Sequence, residues 1–301
     1  MGNKGVLEVS PQIYLIDVSP KEVGKRAIAS YIIKYNSSAV IVEPGPYSTA
    51  EKLMSKLDVI GVKNVELLIP THIHVDHYGS ASYLIKHYKS ALILVHPRGY
   101  RHVINPSYLW SSTRKYMGQL ADIFMKPEPI DKDRVRVSYD GMALTFGNIE
   151  IFILHTPGHS PHHQSIMLST GELLVGDSAG IYIHEHDVIL PMAVPPFNLE
   201  TYVKSIDHML KYNPSRLLYT HFGVLDNAIG NLKNIKQKMM IWNDIIANKC
   251  KSGISVNDAI KIMVNSDSDL KTSFETVMKR PIYRYALKMS ILGYLKYNNL
   301  I

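Results

Sequence analysis

The 301-residue sequence has one cysteine, Cys250, and lacks any long apolar run. A single cysteine excludes an internal disulfide and any cysteine-rich zinc module, so a metal site would need histidine and carboxylate ligands. The longest purely apolar stretches, such as residues 91–95, have the length of a strand and fall far short of the roughly 18 residues that cross a bilayer. The first residues also lack a basic segment followed by an apolar one. We therefore expect a cytoplasmic protein with no membrane partner.

Excess charge is confined to one end of the chain. Lysine and arginine outnumber aspartate and glutamate by 33 to 26, and residues 230–301 hold 12 basic and 5 acidic side chains, whereas residues 1–229 hold 21 of each. The basic tail either binds an anion, such as a nucleic acid backbone or an anionic thiol, or keeps the outer faces of amphipathic helices hydrated. We favour the second interpretation, because the sequence has no aromatic-basic recognition motif.

Up to about residue 225, short β-branched and aliphatic runs alternate with helical stretches. Nine runs predict strands, at residues 12–18, 28–35, 39–42, 65–69, 91–95, 149–154, 165–169, 172–175 and 216–220. Helices are predicted at residues 48–57, 79–87, 108–125 and 199–212, the last with Asn198 as its N-cap. Two sets of strands, each followed by helices, predict an α/β fold with two sheets between helical layers.

After residue 226 only helical periodicity remains. Apolar residues recur at spacings of three and four from Leu232 to Ile246, Ser255 and Asp258 resemble a capping box, and a third helical stretch spans residues 283–297. We predict one domain at residues 1–225 and a basic, all-helical extension at residues 226–301. The apolar stripes of the extension would pack on the first domain or on another copy of the chain, in a homo-oligomer.

A cluster of metal-ligand side chains follows the predicted strand at residues 65–69. Three histidines and an aspartate lie within six residues: His72, His74, Asp76 and His77. Neutral imidazole and carboxylate groups are the ligands of zinc and similar divalent ions when thiolates are absent. In an extended segment His72 and His74 project to one side, and a tight turn would aim Asp76 and His77 at a second point nearby.

Three more candidate ligands follow predicted strands. His159 comes after the strand at 149–154, Asp177 after the strand at 172–175, and His221 after the strand at 216–220. Loops at strand ends are where α/β scaffolds collect functional groups.

These seven residues, in this order, resemble the metallo-β-lactamase superfamily, and the resemblance covers about residues 10–225. It implies an αββα sandwich with the metal site in the groove between the sheets. By the resemblance, one ion is held by His72, His74 and His159, a second by Asp76, His77 and His221, and Asp177 bridges them. Two divalent ions about 3.5 Å apart are implied, zinc in first place with iron or manganese as alternatives, and a shared hydroxide would attack the substrate. Asp76 would orient that nucleophile and take part in proton transfer.

The resemblance also narrows the reaction. An aspartate stands at position 177, where the antibiotic-degrading enzymes with a cysteine ligand have that cysteine, so penicillin hydrolysis is not expected. The ligand set and the sequence motif at residues 156–160 resemble those of glyoxalase II-like hydrolases. This resemblance implies hydrolysis of a small-molecule ester, thioester or lactone. The alternatives are an endoribonuclease or phosphodiesterase, and a persulfide dioxygenase with one iron on His72 or His74, His159 and Asp177. A non-enzymatic alternative is an RNA-binding module that uses the basic tail.

Several residues near the cluster have expected supporting roles. We expect His162 and His163 to support the ligands rather than to bind metal, because the ligand set is complete without them. Tyr182, His184 and His186 alternate and would share one face of an extended segment, towards the groove or towards solvent. Residues 191–197, with three prolines, predict a rigid rim, in which Met192 and Phe197 would contact an acyl group.

Overall fold

The computed structural model describes residues 5–301 and places their strands in two large sheets and one hairpin. The first sheet contains, in chain order, β1 (Val6–Ser10), β2 (Ile13–Asp17), β3 (Ala29–Tyr35), β4 (Ser38–Val42), β5 (Asn64–Ile69), β6 (Leu92–Val95) and β7 (Val135–Val137). Strands β1 to β4 pair antiparallel, and β4 to β7 pair parallel.

The second sheet has six strands in the order β15-β14-β11-β10-β9-β8. Its members are β8 (Met142–Phe146), β9 (Ile149–His155), β10 (Gln164–Leu168), β11 (Glu172–Leu174), β14 (Arg216–Tyr219) and β15 (Gly223–Asp226). Between β11 and β14, the strands β12 (Ile181–Ile183) and β13 (Val188–Leu190) form the separate hairpin.

Helices cover the outer faces of both sheets. They are α1 (Ala50–Val59), α2 (Val75–Tyr78), α3 (Ala81–His87), α4 (Tyr100–Ile104), α5 (Ser107–Met117), α6 (Gln119–Phe124), α7 (Leu199–Leu210), α8 (Ala228–Lys249), α9 (Val256–Ser266), α10 (Ser268–Lys279) and α11 (Pro281–Tyr297). Among residues 5–301, no helix has both the length and the apolar character that a membrane span requires.

The apolar core is layered in the same way. Val40 and Ile69 of the first sheet meet Ile151 and Ile166 of the second sheet between the sheets. The outer face of the first sheet packs on α1 and α3, and the outer face of the second sheet packs on α7 and α8. Central strands of the first sheet, such as β4 and β6, are apolar on both faces because both faces are covered. The chain is therefore an αββα sandwich with a C-terminal helical extension.

The predicted strands agree with nine of the observed ones, with small shifts at their ends. Six strands were not predicted: β1, β7, β8, β15 and the two strands of the β12–β13 hairpin. Most of these lie at sheet edges, where one side of the strand is exposed and the apolar run is interrupted.

Two predicted helices differ from the structure, and one helix was not predicted. The helix expected at residues 79–87 runs only over Ala81–His87, since Gly79 ends the short helix α2. The helix expected at residues 108–125 is divided into α5 and α6, because Gly118 has a φ of 56° that no right-handed helix accommodates. In the tail, α10 was missed, because the Asp267 side chain ends one helix and caps the next by accepting from the Leu270 N–H at 2.7 Å. The expected caps at Asn198 and Ser255 are confirmed.

The extension packs along the rest of the chain. Its first apolar stripe, with Leu232, Met239 and Trp242 fully buried, faces the second sheet and the later helices. The closest approach is at Gly293 on α11, where an added Cβ would lie 1.8 Å from the backbone oxygen of Ala193. Glycine is required there because the helix backbone lies directly on the segment that follows β13.

Candidate metal centre

All seven predicted ligands lie just beyond strand ends at one edge of the two sheets. His72 and His74 follow β5, and Asp76 and His77 occupy the first turn of α2. The other three follow strands of the second sheet: His159 lies between β9 and β10, Asp177 lies after β11, and His221 lies between β14 and β15. The fold therefore brings residues from four separate segments to one place, as the sequence predicted.

His72, His74 and His159 form the first group of converging side chains. The Nδ1 of His74 lies 2.8 Å from the Nε2 of His72 and 3.1 Å from the Nε2 of His159. All three ligand atoms lie within 4.8 Å of one another. This arrangement offers three nitrogen donors to one point.

Asp76, His77 and His221 form the second group. The Oδ2 of Asp76 lies 3.6 Å from the Nε2 of His221 and 3.8 Å from the Nε2 of His77. This group offers two nitrogens and one carboxylate oxygen to a second point, and these atoms also lie within 4.8 Å of one another.

Asp177 lies between the two groups. Its Oδ2 is 3.3 Å from the Nε2 of His159 and 3.6 Å from the Nε2 of His77, while its Oδ1 is 3.6 Å from the Nε2 of His221. One carboxylate thus faces donors of both groups, which is the position that a bridging ligand would take.

Burial and neighbouring charges hold several of these groups in the protonation state that a metal ligand needs. Burial and the neighbouring histidines lower the pKa values of His72 and His74 well below the ordinary range. Burial works to raise the pKa of Asp177, but the adjacent histidines hold it well below its usual range. At pH 7 the carboxylate is therefore ionised, and the two imidazoles are neutral with free lone pairs.

Buried donor atoms that have no hydrogen-bond partner in the described chain also indicate a metal site. The Nε2 of His77 and the Oδ1 of Asp177 are buried and have no hydrogen-bond partner among residues 5–301. A buried polar atom without a partner costs free energy, and a cation between the two groups would satisfy both atoms. Neutral imidazoles and carboxylates suit divalent ions such as zinc. The seven residues fit divalent metal binding.

Glu43 supports the centre, and the sequence analysis did not single it out. One oxygen of its carboxylate bonds the Nδ1 of His77, and the other accepts from the Thr71 N–H at 2.5 Å. Burial works to lower the pKa of His77, but Glu43 and the two aspartates raise it well above its ordinary value. A signal was present in the sequence, because Glu43 directly follows β4, the parallel neighbour of the strand that carries the histidines.

Backbone carbonyls orient two more ligands. The Nδ1 of His221 donates to the Ala27 oxygen at 2.9 Å, and the Nδ1 of His159 donates to the Met192 oxygen at 3.2 Å. Each bond places the proton on Nδ1 and turns the Nε2 lone pair towards the centre.

His163 positions Asp177, as its expected supporting role requires. Its Nε2 accepts from the Asp177 N–H at 3.2 Å, and its Nδ1 bonds the Thr156 hydroxyl at 2.9 Å. Burial lowers the pKa of His163 well below its usual range, so the ring is neutral and keeps this acceptor. His162 lines the cavity beside the centre.

A cavity of about 390 Å³ opens over the centre. Asp76, His159, Asp177 and His221 lie at its floor, and the segment that follows β13 forms part of its rim. Helices α5 and α11 both contribute residues to its walls. The C-terminal extension thus shapes the space above the donors.

One expectation about the surroundings was wrong. Tyr182, His184 and His186 do not share one extended face, since the chain turns after Ile183, and the residues that line the cavity within 5–301 do not include them. The structure joins His186 to Thr276 of α10 at 2.8 Å and His184 to Tyr283 of α11 at 3.3 Å.

The rim residues behave differently from one another. Met192 lines the cavity as expected. Phe197 instead turns away and packs on Tyr294 of α11, with 4.8 Å between the ring centroids, so it holds the rim to the extension rather than contacting an acyl group.

Comparison with known proteins agrees with the fold. The sequence model of the metallo-beta-lactamase superfamily matches residues 23–221. A metallo-beta-lactamase fold-containing protein from Sulfurisphaera tokodaii, ST1585, is 26% identical over 194 residues, which cover 60% of this chain and 72% of that protein. A probable metallo-hydrolase from Methanocaldococcus jannaschii, MJ0888, is 29% identical over 153 residues, which cover 51% of this chain and 68% of that protein.

The solved structure of ST1585, an archaeal metallo-beta-lactamase superfamily protein, superimposes with a TM-score of 0.71 at 20% identity. The match covers 94% of this chain and 98% of that one, so the likeness of fold includes the C-terminal helices. With a family match over most of the sandwich and the expected donors gathered at its edge, the chain belongs to the metallo-beta-lactamase superfamily.

Proposed function

We propose that this protein is a metal-dependent hydrolase of a small carboxylic ester, thioester or lactone. The observation that supports this most is that both groups of donors lie at the floor of a cavity of about 390 Å³, a volume typical of small-molecule sites. A small substrate in that cavity would place its reacting carbon above Asp76 and Asp177.

The donor set supports a pair of divalent ions, with zinc ahead of iron and manganese. Each group holds three donors, and the Asp177 carboxylate can serve both. When bound, such ions supply Lewis acidity and lower the pKa of water from about 15.7 towards neutrality. A single-iron dioxygenase would leave Asp76, His77 and His221 without a role, so we favour the dinuclear hydrolase.

Protein side chains would orient the substrate and move protons. Asp76 lies at the cavity floor with its Oδ2 towards His77 and His221, where it is placed to accept a proton from the attacking water. Tyr285 of α11 lines the same cavity. Burial and the nearby Asp76 charge raise the pKa of Tyr285 well above its usual range, so its hydroxyl stays protonated and can donate to a substrate oxygen.

A substrate panel tests the proposal. After zinc loading we expect turnover of p-nitrophenyl butyrate, an acyl thioester or a γ-lactone. We expect little turnover of bis-p-nitrophenyl phosphate or nitrocefin. Asp177→Asn should abolish ester turnover, and Asp122→Asn, which removes an exposed carboxylate of α6, should leave it unchanged. Phosphodiester cleavage in preference to every ester would favour the nuclease alternative and overturn the proposal.

A further inference from the structure

The walls of the cavity carry no positive charge. Among the residues within 5–301 that line it, none is a lysine or an arginine, although the chain has 33 of them. Within residues 5–301, the carboxylates in the lining are Asp76 and Asp177 of the metal centre. The remaining side chains are apolar or bear hydroxyl or imidazole groups.

Helix α5 turns its apolar and hydroxyl face to the cavity. The lining residues Tyr108, Leu109, Ser112, Thr113, Tyr116 and Met117 recur at the spacing of one helical face. Its two cations are not part of the lining: Arg114 pairs with Asp122 at 3.4 Å, and the exposed Lys115 has its Nζ 5.9 Å from the centroid of the Tyr116 ring.

This face of α5 is only partly covered by protein, although Leu109 and Met117 pack against the core. The helix contains no buried residue, and Tyr108 and Tyr116 are 74% and 46% exposed. Large apolar side chains exposed together beside a cavity mark a binding surface. A ligand bound in the cavity beside α5 would cover them.

Helix α11 also lines the cavity with uncharged side chains. Ile282, Tyr285 and Met289 of α11 face the cavity at spacings of three and four, while Arg284 and Lys288 of the same helix are exposed away from it. Two of the basic side chains of the C-terminal extension pair with carboxylates that are not in the cavity lining. Lys236 lies 2.5 Å from Asp207, and Lys279 lies 2.5 Å from Glu275.

Apart from the ions proposed at its floor, this cavity offers no cationic side chain within residues 5–301 to bind a charged group at the far end of a substrate. Coenzyme A phosphates, the carboxylates of a glutathione-like thiol and phosphodiesters are normally bound by arginine or lysine. An aliphatic chain needs only apolar walls and a place for its carbonyl group.

We infer that the substrate is an uncharged ester or lactone whose aliphatic acyl chain lies between α5 and α11, and that the inner face of α5 selects it. The inference rests on the proposed hydrolase. In the reaction, water adds to the acyl carbon, the bond from that carbon to the alcohol oxygen breaks, and the alcohol takes a proton. The products are a carboxylate, an alcohol and one released proton.

A chain-length series tests the inference on the zinc-loaded full chain. With p-nitrophenyl acetate, butyrate and hexanoate, kcat/KM should rise up to about fourfold per methylene, the effect of burying one such group. The mono-p-nitrophenyl ester of adipate matches hexanoate in length but carries a terminal carboxylate, and its kcat/KM should be at least about tenfold lower. A flat series, or a preference for the adipate ester, would overturn the inference.

A charge placed on the inner face of α5 should reverse the selectivity. Thr113→Arg adds a cation to the cavity wall and should lower kcat/KM for hexanoate while raising it for the adipate ester. Ser111→Arg adds the same charge to an exposed position of the same helix that is not part of the lining, and it should match the unchanged protein within about twofold. Equal behaviour of the two variants would contradict the role of α5.

Ligand binding separates this inference from the proposed function. Octanamide is not an ester, and its binding can be followed by the fluorescence of Trp110 on α5. If no ester is hydrolysed but octanamide binds more tightly than acetamide, and less tightly to Thr113→Arg, the proposed function fails and the acyl site stands. If esters are hydrolysed but octanamide binds no better than acetamide, the acyl site is wrong and the hydrolase stands.

Discussion

The Glu43 carboxylate bonds the Nδ1 of His77, and the Nε2 on the other side of the same ring faces Asp76 and Asp177 without a hydrogen-bond partner in the described chain. This relationship fixes which nitrogen of His77 carries the proton. It also places a negative charge behind the ring, which makes the free nitrogen a better donor to a cation.

Glu43→Gln should weaken the second of the two donor groups. Glutamine keeps the size of the side chain but removes its charge, and loss of such a supporting partner typically costs about 10- to 100-fold in metal affinity or activity. Zinc affinity, measured by competition with a chromophoric chelator, should fall for one ion and be retained for the other. Glu66→Gln, at an exposed position on β5, is the control. Unchanged affinity for both ions in Glu43→Gln would refute this role.

Acid should release the two ions in order. The pKa of His77 is raised above its ordinary value, so a proton competes for its Nε2 already near neutral pH. The pKa values of His72 and His74 lie well below the ordinary range, so those nitrogens stay unprotonated at lower pH. Metal content after dialysis from pH 8 to pH 5 should therefore fall first from two ions to one. Simultaneous loss of both ions would contradict this order.

Tyr285→Phe should act on turnover more than on substrate binding. The change removes one hydroxyl that is close enough to Asp76 for that charge to raise the Tyr285 pKa, and it leaves the ring in the cavity wall. We expect kcat to fall by about a hundredfold, with a much smaller change in KM, as for loss of a donor to developing charge. Tyr116→Phe removes a hydroxyl near the cavity mouth and should change kcat little. A Tyr285→Phe enzyme with unchanged kcat would show that this hydroxyl takes no part.

Gly293→Ala tests how closely α11 packs on the segment after β13. The added methyl group would lie 1.8 Å from the Ala193 oxygen, so the helix must move. Overpacking of this kind costs about 1–3 kcal/mol of the free energy of unfolding. Thermal unfolding should show a lower midpoint than for Lys288→Ala, an exposed change on the same helix. Equal unfolding midpoints for the two variants would mean that α11 does not pack closely on that segment.

The central strands of both sheets were predictable because each is a buried apolar run. Strands such as β4, apolar and buried from Ala39 to Val42, leave a continuous signal in the sequence. The edge strands β1 and β7 are partly exposed along their length, and their polar positions interrupt that signal. They form strands because they pair with a neighbouring strand, and the sequence does not display that pairing.

The candidate site was predictable to the level of its seven donors. Their residue types, their order and their places after strands are all local features of the sequence. Glu43 was not found, because its role depends on β4 lying parallel beside β5. Met192 lines the cavity, whereas Phe197 packs on Tyr294. This difference between the two rim residues depends on where α11 packs. Such contacts between distant segments are set by tertiary structure.

The most direct test of the metal centre is anomalous diffraction at the zinc edge from crystals of the zinc-loaded protein, compared with Asp177→Asn. We expect two peaks in the unchanged protein, one among His72, His74 and His159 and one among Asp76, His77 and His221, and at most one peak in the variant. A single peak in the unchanged protein, or zinc bound away from these residues, would contradict the dinuclear centre.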